Sequence, residues 1–128
     1  MKIAALVARI LLGLVFTVFG FNHLVPFIPM GPMPTGPAGQ FMGAMMTTHY
    51  LFIVGIFEVA PGILLLINRY VPLGLTLLGP VLFNILLVDI LMAPKALPIG
   101  ILCTILWFVV FVRERAAFAG IFQQRTQS

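Results

Sequence analysis

Glu58 is the strongest candidate for a functional side chain, because it is an acid inside the apolar run YLFIVGIFEVAPGILLLIN at positions 50–68. On a helix that starts at Tyr50, a rise of 1.5 Å per residue places it about 12 Å along, near a bilayer midplane. A charge there costs at least ~2.5–3.5 kcal/mol to insert, so the carboxylate should face other helices and find a partner. Gly55 and Gly62, about one turn to either side, allow a neighbouring backbone to approach closely.

Arg9 is the first candidate partner for this acid. It belongs to a stripe at helical spacing that includes Gly13 and Gly20. Counted inward from the same side, Arg9 lies ~9 Å and Glu58 ~13 Å deep, a gap that an arginine side chain can reach. We predict an Arg9–Glu58 ion pair. The alternative is that Arg9 extends to the lipid headgroups instead.

The remaining polar residues of the apolar segments predict two layers. Glu58 and Arg9 form an inner layer with Asn84, which shares a helix face with Thr76 and Pro80. The outer layer comprises Asn22, His23 and Asp89, with His49 as a further candidate; ordinary contact with interfacial water is the alternative for this layer, and the preferred one for His49 and Lys95.

The elements that must position these side chains are membrane helices. The chain has 128 residues, of which 62% are hydrophobic and 8% charged, whereas a soluble domain carries about 25% charged residues. Four continuous apolar segments approach the ~20 residues that cross a bilayer. We predict an all-α, four-helix transmembrane bundle as a single domain over residues 1–128, with helices at about 3–25, 50–67, 71–92 and 97–112.

Charge predicts the orientation of this bundle. Four spans place six of the seven basic side chains on one side, and only Lys95 on the other. By the positive-inside rule, both termini are then cytoplasmic. The basic balance reflects this topology and contact with anionic membrane lipids, and it does not indicate nucleic-acid binding. The first segment resembles a secretory signal, but Arg9 interrupts it and no small-x-small cleavage site follows, so we interpret it as a retained helix.

The long connection between the first two spans, Pro26 to His49, contains five prolines and no charged residue. Proline and glycine at this density predict no regular helix over Pro26 to Gly39, and FMGAMMTT after it is a candidate interfacial helix. Two alternatives stay open: the loop folds back on the outer mouth of the bundle, or it is a flexible outer loop.

No motif in the chain indicates a catalytic residue, a metal site or an intrinsic cofactor. His23 and His49 lack the spacing of metal or haem ligands, and no phosphate-binding loop or nucleophile motif is present. The single cysteine, Cys103, lies within an apolar segment. We interpret it as an inert packing residue.

The segments ARILLGLVFTVFGFNHL and FEVAPGILLLINRYVPLGLTLLGPVLFNILL resemble the DoxX and DoxX-like family of small bacterial membrane proteins. The resemblance covers about four-fifths of the chain. It is carried by the order and spacing of Arg9, Gly13, Gly20, Asn22, His23, Glu58, Gly62 and Asn84.

This resemblance implies a four-helix bundle in the bacterial cytoplasmic membrane. Some relatives are subunits of a thiosulfate:quinone oxidoreductase or are associated with membrane redox and thiol-stress complexes, and many have no assigned activity. Relatives of the DoxX-like branch often carry a histidine near the end of the third helix, where this chain has Asp89.

Two functions follow as expectations. In the first, the chain is an accessory subunit of a quinone- or thiol-linked membrane redox system. It binds a lipophilic molecule, a quinone or a lipid, near the buried Arg9–Glu58 pair, with Asn84 as a further polar contact, and a partner subunit supplies the electron-transfer groups. In the second, it is a scaffold, an assembly factor or a lipid-handling protein whose buried pair holds the helices together. The sequence leaves open whether the chain forms homo-oligomers.

The predicted topology can be tested by cysteine labelling in intact cells. On a Cys103→Ser background, a cysteine at Thr35 should react with an impermeant thiol reagent, and a cysteine at Ser128 should be protected until the cells are lysed. The opposite labelling pattern would show that the termini lie outside the cytoplasm and would contradict the predicted topology.

Overall fold

The computed structural model describes residues 2–25 and 35–122, and these residues contain helices and no strand. The α-helices are α1 (Lys2–Leu24), α2 (Gly36–Thr47), α3 (Tyr50–Ile67), α4 (Val71–Leu91) and α5 (Leu97–Arg113), with 3₁₀ turns at Pro94–Ala96 and Arg115–Phe122.

Four of the elements in the described residues are long and apolar enough to cross a membrane. They are α1, α3, α4 and the segment Pro94–Arg113, which contains α5. The predicted all-α architecture with four transmembrane helices is therefore confirmed, and the chain is a multi-pass membrane protein. Each helix begins and ends within one residue of its predicted position. The cytoplasmic location of the termini stays a prediction.

The helix α2 corrects the prediction for the long connection. It begins at Gly36, so the expectation of no regular helix as far as Gly39 is wrong over residues 36–39, while residues 26–34 lie outside the described part. The physical reason is that Pro37 occupies the first turn, where proline removes no helical hydrogen bond. The helix packs against α3 and buries Ala38, so this part of the connection folds back on the bundle.

The four long helices form a ring in the order α1, α3, α4, α5. The most extensive contact is between α1 and α3, and α4 completes the ring by packing on both α3 and α5. Consecutive spanning helices run antiparallel, so the start of α1 and the end of α5 lie at the same end of the bundle. We call it the basic end, and the end with the α1–α2 connection the opposite end.

Glycines bring the backbones of α1 and α3 into direct contact. A Cβ atom added to Gly62 would lie 2.6 Å from Thr17 Oγ1 and 2.8 Å from Thr17 N, and one on Gly13 would lie 2.9 Å from the Gly62 carbonyl oxygen. Real Cβ atoms do not approach so closely, so neither position has room for a side chain. Small residues at helix contacts are the usual means of close packing in membranes, where dispersion rather than water exclusion holds helices together.

The apolar core fills the bundle from its middle to the basic end, and the opposite faces of the same helices expose large apolar side chains. On α4 the buried positions recur at helical spacing, as Val71, Leu75, Leu78 and Leu82. Exposed side chains such as Phe83 and Leu91 lie on the outward face, as expected for a surface that contacts lipid tails. Trp107 of α5 donates a hydrogen bond from Nε1 to the Leu75 carbonyl oxygen at 3.0 Å and joins α5 to α4.

We predict that Gly62→Ala destabilises the bundle by about 1–3 kcal/mol, the usual cost of overpacking a well-packed interface. The added methyl group has to push α1 away from α3, because one of its neighbours is backbone. Thermal unfolding in detergent should show a lower midpoint.

Gly79→Ala is the matched control, since its Cβ would make an ordinary contact of 3.7 Å with Trp107 Cζ2. The two variants change the chain by the same methyl group, so equal midpoints would show that the α1–α3 contact does not limit stability.

Candidate functional site

The buried acid Glu58 forms a hydrogen-bonded pair with His23. His23 Nδ1 lies 2.7 Å from Glu58 Oε1, and the side chains are 21% and 5% exposed. His23 comes from the last turn of α1, and Glu58 lies in the third turn of α3. The contact joins the two helices within the last turn of α1.

The glycines around the pair explain why two medium-sized side chains can meet between packed helices. A Cβ on Gly20 would lie 2.8 Å from the Cβ of Glu58, and one on Gly55 would lie 3.1 Å from the Cβ of His23. Each polar residue therefore stands opposite a glycine of the other helix. The absence of side chains at these two positions leaves room for the imidazole and the carboxylate.

The predicted Arg9–Glu58 ion pair is wrong. Arg9 Nη1 donates a hydrogen bond to the carbonyl oxygen of Leu65, and a longer one of 3.4 Å to that of Leu66. Both acceptors are in the last turn of α3, where the carbonyl groups carry partial negative charge. The Leu65 carbonyl oxygen also accepts a hydrogen bond from the Asn68 backbone N–H at 3.3 Å. Arg9 thus caps the C-terminus of α3 at the basic end.

The relative positions of the helix ends account for this difference. The predicted pair requires the start of α1 and the end of α3 to lie at the same level. In the structure Lys2 lies seven residues, about 10 Å, before Arg9, whereas Ile67 lies only two residues, about 3 Å, after Leu65. Because α1 begins further out, Arg9 reaches only the end of α3, and Glu58 lies level with Gly20.

Asn84 does not belong to a buried inner layer. Its side chain is exposed and donates a hydrogen bond from Nδ2 to the Pro80 carbonyl oxygen at 2.9 Å, one turn earlier in α4. Thr76, Pro80 and Asn84 do share a face, as predicted, but all three are exposed. The amide lies on the outward-facing surface and donates its hydrogen bond to a carbonyl group of its own helix. A polar side chain in a membrane helix therefore does not have to face the bundle interior to find a hydrogen-bond partner.

The prediction for the outer layer agrees better with the structure than the prediction for the inner layer does. Asn22 and Asp89 are buried, and both lie towards the end of the bundle where His23 is found. Asp89 packs in the α4–α5 contact, where a Cβ on Gly100 would lie 2.5 Å from its Oδ2 atom. His49 and Lys95 are exposed, consistent with the preferred alternative of contact with interfacial water. The inner layer therefore does not exist as predicted, because Glu58 joins the outer group.

The His23–Glu58 geometry orients an imidazole for hydrogen bonding. With Nδ1 held by the carboxylate, the other ring nitrogen, Nε2, is the free position, and within residues 2–25 and 35–122 no hydrogen bond engages it. A ring protonated at both nitrogens donates through Nε2, whereas a ring protonated only at Nδ1 accepts there. The same side chain can therefore hydrogen-bond either a carbonyl or a hydroxyl group.

A second polar group lies in the same helix contact. The Thr17 hydroxyl is buried beside Gly62 and has no hydrogen-bond partner among the described residues. Across those residues, no group of three or more histidine, cysteine or acidic side chains could hold a metal ion. Cys103 is buried, as its position in the apolar segment predicts.

Comparisons with protein-family models, with curated proteins and with solved structures found no match to this chain.

One feature of the sequence does indicate the observed helix register. Gly13 and Gly20 in α1 are seven residues apart, and so are Gly55 and Gly62 in α3. Antiparallel packing of these glycines, with Gly13 beside Gly62 and Gly20 beside Gly55, places Glu58 near Gly20 and well away from Arg9. The structure shows both contacts.

We predict that His23 and Glu58 are energetically coupled, and that Arg9 and Glu58 are not. Glu58→Leu and His23→Leu should each lower stability, because each change leaves one polar group buried without its partner. The double variant should lose less than the sum, with a coupling energy on the order of 0.5–3 kcal/mol, measured by unfolding in detergent.

The control cycle combines Glu58→Leu with Arg9→Leu. These losses should add within about 0.5 kcal/mol, since the two side chains share no contact. A coupled Arg9–Glu58 cycle together with an additive His23–Glu58 cycle would contradict the geometry described above.

Proposed function

We propose that this chain binds the head group of a quinone or a similar lipophilic molecule at the His23–Glu58 pair, as an accessory subunit of a membrane redox system. The observation that carries the proposal is the partly exposed imidazole of His23, held at Nδ1 by a buried carboxylate within the membrane-spanning region.

The chemistry of the pair suits such a ligand. A quinone carbonyl accepts a hydrogen bond and a quinol hydroxyl donates one, and His23 Nε2 can serve either form. Binding sites for small apolar ligands typically combine an apolar lining with a few well-placed polar groups. Here Glu58 holds the ring through one nitrogen, and the exposed fifth of the imidazole provides access.

The resemblance to the DoxX-like family supports the same assignment. Six of the eight residues that carry the resemblance lie along the α1–α3 contact, where they form the glycine packing, the hydrogen-bonded pair and the cap of α3: Arg9, Gly13, Gly20, His23, Glu58 and Gly62. Asn84 lies apart from this contact. On this proposal the protein is located in the bacterial cytoplasmic membrane with both termini in the cytoplasm.

Electron transfer in this proposal belongs to a partner subunit. The chain contributes one cysteine, which is buried, so a dithiol cannot form within it. The role that remains for the chain's own residues is to hold the ligand and to move a proton at His23 Nε2, with Glu58 stabilising the charged ring.

A scaffold function is the second candidate, and the glycine packing favours it. The contact of α1 with α3 is close along about two turns, from Gly13 to Gly20, and the His23–Glu58 contact extends it by about one more turn. Buried ionic groups of this kind can specify helix register without binding a ligand.

The redox proposal predicts that the purified protein binds decylubiquinone in a saturable manner and that His23→Gln weakens binding at least about tenfold. The loss of a hydrogen bond that leaves its partner unsatisfied in an apolar site is worth about this factor. Binding can be measured by equilibrium dialysis in detergent, with extraction and chromatographic quantification of the quinone.

His49→Gln is the matched control, because it makes the same change at an exposed histidine outside the bundle. Retention of full binding by His23→Gln would contradict the site. A folded wild-type protein that binds no quinone, while its His23–Glu58 cycle shows coupling, would instead favour the scaffold function.

A further inference from the structure

A cavity of about 380 Å³ opens at the basic end of the bundle, on the side away from the His23–Glu58 pair. The start of α1, the end of α5 and the turn after α3 surround it. Its polar lining consists of Lys2, Arg9, Asn68, Arg113 and Glu114, and its apolar lining includes Leu6.

The lining has a strong excess of positive charge. Lys2, Arg9 and Arg113 face one acid, Glu114. Arg9 uses Nη1 for the carbonyl groups at the end of α3, which fixes its guanidinium and leaves its other N–H groups for a ligand. A guanidinium held in place in this way loses little conformational freedom when it binds an anion.

The convergence of these side chains goes beyond what membrane topology requires. The positive-inside rule needs basic residues near the ends of the spans, and it does not require them to meet. Lys2, Leu6 and Arg9 lie on one face of α1 at helical spacing, so the cavity continues about 10 Å along this helix. Arg113 approaches the same space from α5.

The apolar parts of the cavity indicate what form the anion takes. Ala5 and Val110 are buried in its lining, and the neighbouring Ile3 is 78% exposed. A phosphate group among the basic side chains would leave any attached acyl chains beside exposed apolar residues of α1. This combination suits a lipid with an anionic headgroup better than it suits a small, fully hydrated ion.

We propose that the basic cavity is a binding site for a phosphate ester, with Lys2, Arg9 and Arg113 as its cationic contacts and an anionic phospholipid as its source. The site is independent of the proposed function at His23, since it lies at the other end of the bundle and shares no residue with it.

The experiment measures the thermal unfolding midpoint in a neutral detergent during titration with dihexanoyl phosphatidylglycerol. Dihexanoyl phosphatidylcholine and inorganic phosphate are titrated in parallel. We expect a saturable rise in the midpoint with phosphatidylglycerol and a much smaller rise with phosphatidylcholine, whose choline group neutralises the phosphate.

The double variant Lys2→Gln/Arg113→Gln should raise the half-saturation concentration for phosphatidylglycerol at least about tenfold, because each charge-assisted hydrogen bond is worth about this factor. Both side chains are exposed, so the fold should persist. Arg9 stays unchanged because it also caps α3.

The matched control is Arg69→Gln/Arg115→Gln, which removes two exposed basic side chains from the same end without altering the cavity lining. It should respond to phosphatidylglycerol like the wild type. An equal increase of the half-saturation concentration in both double variants would overturn the site, because it would show that the response to phosphatidylglycerol depends only on the general positive charge of this surface.

The other two titrations distinguish the sources of the phosphate. A saturable response to inorganic phosphate, abolished in the cavity variant alone, would support the anion site with a soluble ligand as its source. Equal responses to the two lipids, or no saturable response to any of the three compounds, would overturn the proposal.

Discussion

The close approach of α1 and α3 is the constraint on which the rest of the structure depends. Gly13 and Gly62 meet at one level and Gly20 and Gly55 at another, and none of the four has room for a side chain. In a membrane, helices gain little from excluding water, so contact area between backbones is a main source of attraction. These four positions hold the register of the two helices within narrow limits.

This register decides which polar groups meet. With Gly20 beside Glu58, the residue one turn further along α1 is His23, and its Nδ1 atom lies within hydrogen-bonding distance of the Glu58 carboxylate. The same register places Arg9 at the end of α3, where the carbonyl oxygens of Leu65 and Leu66 accept its hydrogen bonds. Arg9 and His23 of α1 therefore both find partners on α3, at opposite ends of the contact.

The bundle consequently has two chemically different ends joined by an apolar core. One end contains a buried acid, an oriented imidazole and the buried side chains of Asn22 and Asp89. The other end contains a basic cavity lined by Lys2, Arg9 and Arg113. A core that includes Leu12, Leu65 and Leu78 separates the two ends of the bundle.

Composition and hydropathy alone determine that this chain is a four-helix membrane protein. In lipid the backbone polar groups must hydrogen-bond to one another, and continuous apolar segments of this length can do so as helices. Composition and hydropathy also show that Glu58 needs a partner, since burial of a charge is costly wherever the helix lies. The identity of that partner depends on how far one helix is displaced along another, and the lengths of the apolar runs do not specify that displacement. Asn84 shows the same limit: its exposure follows from which face of α4 packs on α3 and α5, and only the tertiary structure decides that face.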